Sequence, residues 1–86
     1  MTDYDFDPVK DEANFEAHRL RLSDFAGFDT EAAAVEDKRF DYGERRFRVF
    51  GRIDGKGHCL VLTVRDGKER LISFRRCHEK EMGRYE

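Results

Sequence analysis

The chain is 86 residues long (10.2 kDa), 42% charged and 38% apolar, with 8 Phe, 3 Tyr and a formal net charge of -2. One domain over 1–86 with a single small core is expected, which excludes a multidomain enzyme and a dinucleotide-binding fold; no run approaches the ~18 consecutive apolar residues of a membrane span. Met1-Thr2-Asp3-Tyr4-Asp5 has neither the basic region nor the apolar stretch of a signal peptide, so a cytoplasmic location with Cys59 and Cys77 as free thiols is expected.

In chain order, residues 3–6 alternate in polarity, with Tyr4 and Phe6 on one side, and read as a short first strand. Asp7-Pro8 then starts a helix over roughly 8–19: a carboxylate accepts from the free amides of the first turn, and proline fits a position whose N–H has no acceptor. Val9, Ala13, Ala17 and Leu20 form the expected apolar stripe of that helix. Ser23 and Asp24 are expected to cap a second short helix carrying Phe25, Ala26 and Phe28. Residues 31–38 suit a helix by alanine content and a strand by position.

The second half alternates more clearly. Phe47, Val49, Gly51 and Ile53 interleave with Arg46, Arg48, Phe50 and Arg52 in a strand, followed by a turn at Asp54-Gly55-Lys56-Gly57. Cys59 to Val64 is apolar on both faces and reads as a central strand. Asp66-Gly67 signals a type I′ hairpin into the strand Arg70–Arg76, with Val61 paired to Ile72, Cys59 to Phe74 and Leu62 to Leu71. Cys77 to Glu86 offers Met82 and Tyr85 at helical spacing. The expected class is α+β: a small antiparallel sheet of about four strands with two N-terminal helices and a short C-terminal helix.

Charge is divided along the chain, with a net of -7 over 1–43 and +5 over 44–86. That asymmetry permits a local positive field, suited to a phosphate-bearing or acidic partner, on a mildly acidic protein. No Gly-rich phosphate loop or nucleophile elbow is present. The doublets His58-Cys59 and Cys77-His78 lack zinc-site spacing, so neither a metal nor another cofactor is expected.

Asp7-Pro8-x-Lys10, Asn14 and His18, Tyr42-Gly43-Glu44-x-Arg46-Phe47, Gly51-Arg52, Ile72-Ser73-x-Arg75-Arg76 and Glu81-x-x-x-Tyr85-Glu86 occur in that order over nearly the whole chain. In these elements the chain resembles the BrnT family of small bacterial toxins. The resemblance implies a RelE-like fold and a metal-independent ribonuclease. It also implies a cognate antitoxin, through whose DNA-binding part alone the pair meets DNA.

Such a reaction needs a base for the 2′-hydroxyl proton, cations for the charge gathering on phosphate and an acid for the leaving oxygen. Arginine suits the second task, since its planar fork grips two phosphate oxygens and it stays charged. Strand connectivity is taken to bring Arg46 and the pair Arg75 and Arg76 to one end of the sheet, with Arg65 at the other. Arg75 is preferred over Arg76 because it continues the Leu71–Ser73 face. His18 is the candidate for proton transfer, Glu44 a base or an orienter of Arg46, and Tyr85 a phosphate donor, a base-stacking ring or packing. Lys10, Arg48, Arg65 and Arg76 complete the set as substrate-binding cations. Asn14 is expected to tie the first helix to backbone. An RNA endonuclease toxin is the leading expectation. A non-catalytic toxin-like module that binds a DNA-binding antitoxin is the alternative, and a homodimer is left open.

Overall fold

A computed structural model of the chain describes residues 4–86, so Asp3 of the expected first strand lies outside the described residues. Strand β1 (Asp5–Phe6) leads into helix α1 (Pro8–His18), a 3₁₀ turn (Leu22–Asp24), strands β2 (Ala33–Asp37), β3 (Arg46–Ile53), β4 (Lys56–Arg65) and β5 (Lys68–Arg76), and helix α2 (Glu79–Tyr85). The sheet has five strands in the order β1-β5-β4-β3-β2, with β1 parallel to β5 and the other neighbours antiparallel.

This corrects the expected class in two respects. The sheet is mixed and five-stranded, because β1 joins it as an edge strand parallel to β5, and because 31–38 supplies the opposite edge strand, Ala33–Asp37, paired to β3. Only one helix lies on the amino-terminal side. The Ser23–Asp24 segment makes a single 3₁₀ turn, after which Phe25 is extended (φ -73°, ψ 121°). Its ring meets those of Tyr4, Phe28 and Phe74 at centroid distances of 5.2, 5.0 and 5.3 Å. Each such pair adds about 0.5–1.5 kcal/mol beyond area burial.

The first core, Leu22, Phe25, Leu60, Leu62, Leu71 and Phe74, fills the face of the sheet toward α1. Gly51 is required there, because a Cβ would stand 2.5 Å from the Phe28 ring. Of the expected apolar stripe of α1 only Leu20, past the helix end, packs against this core: Val9 is 75% exposed, Ala13 and Ala17 are exposed, and the buried residue of the helix is Asn14. Asn14 Nδ2 donates to the carbonyls of Phe74 and Leu20, both at 2.7 Å, while Phe74 N–H donates to Asn14 Oδ1 at 3.0 Å. An amide side chain thus completes the edge of β5 beyond the two residues that β1 covers. Asp7 caps the start of α1 by accepting from Val9 N–H at 2.9 Å. Arg19 ends the helix in the left-handed region (φ 59°), at about 1–2 kcal/mol for a residue with a Cβ.

Both hairpins turn on Asp-Gly with positive φ at each residue, 54° and 74° at Asp54-Gly55, 54° and 75° at Asp66-Gly67. Pairing across the second begins as expected, through Leu62 with Leu71. It then slips at a β-bulge that leaves Ile72 extra, so that Val61 pairs with Ser73 and Cys59 with Arg75. The bulge corrects the expected pairings of Val61 with Ile72 and Cys59 with Phe74. It also turns Phe74 into the core and sends Ser73 and Arg75 to the opposite face.

That opposite face carries a second, smaller core of Phe50, Cys59, Cys77 and Met82 with Tyr85 packed against it, roofed by α2. At seven residues, α2 is too short to hold itself in water. It is anchored by fully buried Met82, by Tyr85 stacked on Phe50 (4.1 Å, 6° between planes), and by Arg52, which binds Glu79 at 2.7 Å and Glu86 at 2.8 Å. Among the described residues no helix is long and apolar enough to cross a membrane.

Candidate functional site

Beside α2, the rest of this face forms an open cleft of about 300 Å³. Strand pairing lays out its floor in rows: Asp37 beside Arg46, then Arg48, Val61 and Ser73, then Cys59 and Arg75. His18, at the end of α1, reaches the same cleft from the β5 edge. Arg39 and Tyr42, from the loop after β2, close its other side.

The carboxylates around the cleft hold its arginines in place. Glu81 of α2 receives both terminal nitrogens of Arg75, at 3.1 and 2.9 Å, and the Cys77 thiol at 3.2 Å. The Arg75 bond is the chief reason that the Glu81 carboxyl is pulled down to about 2. Asp37, with its side chain 1% exposed, accepts from Arg39 Nε and Nη2 at 2.8 Å each and from the Tyr42 hydroxyl at 3.0 Å. Its carboxyl lies well below the usual range, first because of the Arg39 bonds. The Arg46 guanidinium lies 4.3 Å from the Tyr42 ring centroid and donates to Glu44 at 3.2 Å.

Arg48 differs from these. Its Nε is the one buried side-chain nitrogen or oxygen, among the described residues, with no hydrogen-bond partner. Its guanidinium lies over the Tyr85 and Phe50 rings at 5.2 and 5.8 Å; among the described residues no carboxylate bonds it, and Glu81 meets its charge only at a distance. A guanidinium that lines an open cleft with no carboxylate bonded to it is suited to an anion that enters the cleft.

Four of the expected site residues, His18, Arg46, Arg48 and Arg75, line this one cleft. The expected route to that meeting needs correction. Strands β3 and β5 are both antiparallel to β4 and therefore run the same way, so the start of β3 and the end of β5 lie at opposite ends of the sheet. Arg46 and Arg75 are four residues along and two strands across from each other, roughly 13 and 10 Å, with Arg48 in the row between. Arg65 is the residue that shares Arg46's end: Glu44 bridges the two, bonding Arg65 Nη2 at 2.7 Å. Those guanidinium groups, Arg65 first, lower the Glu44 carboxyl, which suits an orienting role better than proton abstraction. The expected reason for preferring Arg75 also fails, since Leu71 faces the first core, and it is the bulge that turns Arg75 into the cleft.

The remaining candidates stand elsewhere. Arg76 pairs with His58 and shares its face, whose imidazole stacks on Phe74 of the first core. Lys10 is exposed two turns before His18, about 12 Å along the helix. Tyr85 packs flat against Phe50 and supports Arg48 from beside the cleft. Sequence reasoning missed Asp37 and Arg39 of the cleft, and quoted Tyr42 in the BrnT-like motif without giving it a role in the site. Their signal was faint: a Lys-Arg pair and two aromatics in a stretch with no core periodicity. Cys59 lies in the cleft floor and Cys77 under α2, both as buried free thiols. Burial is the first cause of the rise in both, which takes Cys77 to about 11.

No curated protein and no solved structure matches the chain. A family model does match, over residues 6–81, and it describes a ribonuclease toxin, BrnT, of a type II toxin–antitoxin system. With that match covering most of its length, the chain belongs to the BrnT family of ribonuclease toxins, whose members work in a pair with an antitoxin.

Proposed function

We propose that the cleft cleaves RNA by attack of the 2′-hydroxyl on the adjacent phosphate, with arginines stabilising the charge and no metal in the reaction. The observation that carries this reading is Arg48, whose guanidinium bonds no carboxylate among the described residues and stands between Arg46 and Arg75 in a cleft that also receives His18. Two phosphate oxygens bound by Arg48 place the phosphorus over the Val61–Ser73 row, within reach of the longer side chains on either side. His18 takes the 2′-hydroxyl proton as the 2′-oxygen bonds to phosphorus, and returns it to the 5′-oxygen that leaves as the P–O5′ bond breaks. Arg46 and Arg75, fixed by Glu44 and Glu81, add positive charge without having to be ordered during the reaction.

The test is cleavage of RNA by the purified protein in excess EDTA, with the new ends mapped. A 2′,3′-cyclic phosphate, and losses of roughly 100-fold or more in rate for Arg75→Ala and His18→Ala, are the expected results. Cleavage that requires an added divalent ion, or that survives both substitutions, would falsify the mechanism. A protein that binds its antitoxin tightly and leaves RNA intact would instead fit a non-catalytic binding module. The pairing of most cleft arginines with carboxylates favours that second reading.

A further inference from the structure

Resting on the reading of the cleft as an RNA phosphate site, we propose that Phe40 and Tyr42 form a platform on which a nucleobase beside the bound phosphate stacks. Phe40 is 69% exposed, the one aromatic among the large exposed apolar residues of the described chain. It does not belong to a wider apolar patch that would suit a protein partner: the hollow around it is otherwise lined by polar and charged side chains such as Glu36, Lys38 and Arg45. A lone exposed ring in polar surroundings fits a flat, polar-edged ligand, and a nucleobase offers that shape.

The position of the ring supports the same ligand. Its hollow, of about 330 Å³, shares Asp37, Arg39 and Tyr42 with the arginine cleft. Phe40 and Tyr42 meet edge to face, with centroids 5.9 Å apart and planes at 70°, and Arg46 covers the Tyr42 ring from the cleft side. One chain of contacts therefore runs from the cleft's cations to the open ring. The loop is braced as well. Asp37 holds the Arg39 side chain and backbone N–H and the Tyr42 hydroxyl, and Gly43 N–H donates to Asp41 at 3.0 Å. A ring presented on a braced loop loses little freedom when a base settles on it.

The chain contains no tryptophan, so Phe40→Trp gives a single reporter at this position. Three proteins, Phe40→Ala, Phe40→Trp and Arg48→Gln, are compared with the parent. The probes are a random-sequence 2′-O-methyl RNA of about ten nucleotides and an abasic strand of equal length, both single-stranded and uncleavable by 2′-hydroxyl attack. RNA is expected to quench the indole fluorescence of the Phe40→Trp protein more than the abasic strand does. Phe40→Ala should weaken RNA binding by about tenfold and leave the abasic strand unaffected, while Arg48→Gln weakens both. If Arg48→Gln weakens both strands and Phe40→Ala changes neither, the platform is wrong and the phosphate cleft stands. If the parent binds neither strand, both readings fall. If Phe40→Ala leaves RNA binding intact and weakens binding of the antitoxin, the ring belongs to a protein interface and the proposal is overturned.

Discussion

An arginine with a buried, partnerless Nε carries a cost that the neighbouring arginines avoid. Arg39, Arg46 and Arg75 each bond a carboxylate, whereas Arg48, among the described residues, bonds none and lies over the faces of Tyr85 and Phe50. An unsatisfied buried donor costs about 1–3 kcal/mol, and a cation over an aromatic ring returns about 0.5–2 kcal/mol of that. Stability alone would favour an apolar side chain at this position. Arg48→Met keeps most of the stem and removes the orphaned group. Its unfolding free energy from urea titration is expected to equal or exceed that of the parent, by up to about 1 kcal/mol, while RNA cleavage falls roughly 100-fold or more. A variant that unfolds earlier and still cleaves would place Arg48 in the structure and outside the site.

Among the elements, α2 has the most conditional hold. Its carboxylates reach back to the sheet, Glu79 and Glu86 to Arg52 and Glu81 to Arg75. Glu81 titrates near 2 in the folded protein against an ordinary 4.5, chiefly because Arg75 bonds its charged form. Its contribution to stability is therefore fully present above pH 4.5 and is lost as the pH falls through about 2. Glu81→Gln should lower stability near neutrality and converge with the parent by pH 2, which acid unfolding followed by circular dichroism would measure. A constant gap between the two curves across this range would mean that packing, and not ionisation, fixes α2.

The elements also differ in how far the sequence announced them. The hairpin at Asp66-Gly67 was legible because its turn type demands two residues tolerant of positive φ, and the limits of α1 were legible because Asp7-Pro8 can do little else. The β2 strand was ambiguous because Ala33 and Ala34 favour helix in isolation, and pairing with Val49 and Phe50 decides otherwise. The bulge at Ile72 has no residue signature. It follows from packing Leu71 and Phe74 into one core, and it determines that Arg75 faces the cleft. In the site, residue types were readable while their relative places were not. His18, Arg46, Arg48 and Arg75 were named from chemistry, but the order of strands that assembles them depends on pairing across the whole sheet.

At the scale of the whole molecule, an acidic protein must attract a polyanion. The net charge of -2 gives no long-range steering, so on the proposed function binding depends on a cleft whose cations are mostly neutralised by Asp37, Glu44 and Glu81. Salt dependence distinguishes this arrangement from that of a basic nucleic-acid-binding protein. Each phosphate charge neutralised on a single strand contributes about -0.7 to the slope of log K against log salt concentration. A phosphate that displaces Glu81 from Arg75 frees a carboxylate that recruits a cation of its own, which offsets the counterion released from RNA. Among the cleft arginines of the described residues, only Arg48 would bind phosphate on the proposed reading without that exchange. The slope for uncleavable single-stranded RNA is thus expected to be shallow, about -0.7 to -1.4, and to approach zero in Arg48→Gln. A titration steeper than about -2 would require several cations free of their carboxylates, and this cleft would then be the wrong surface.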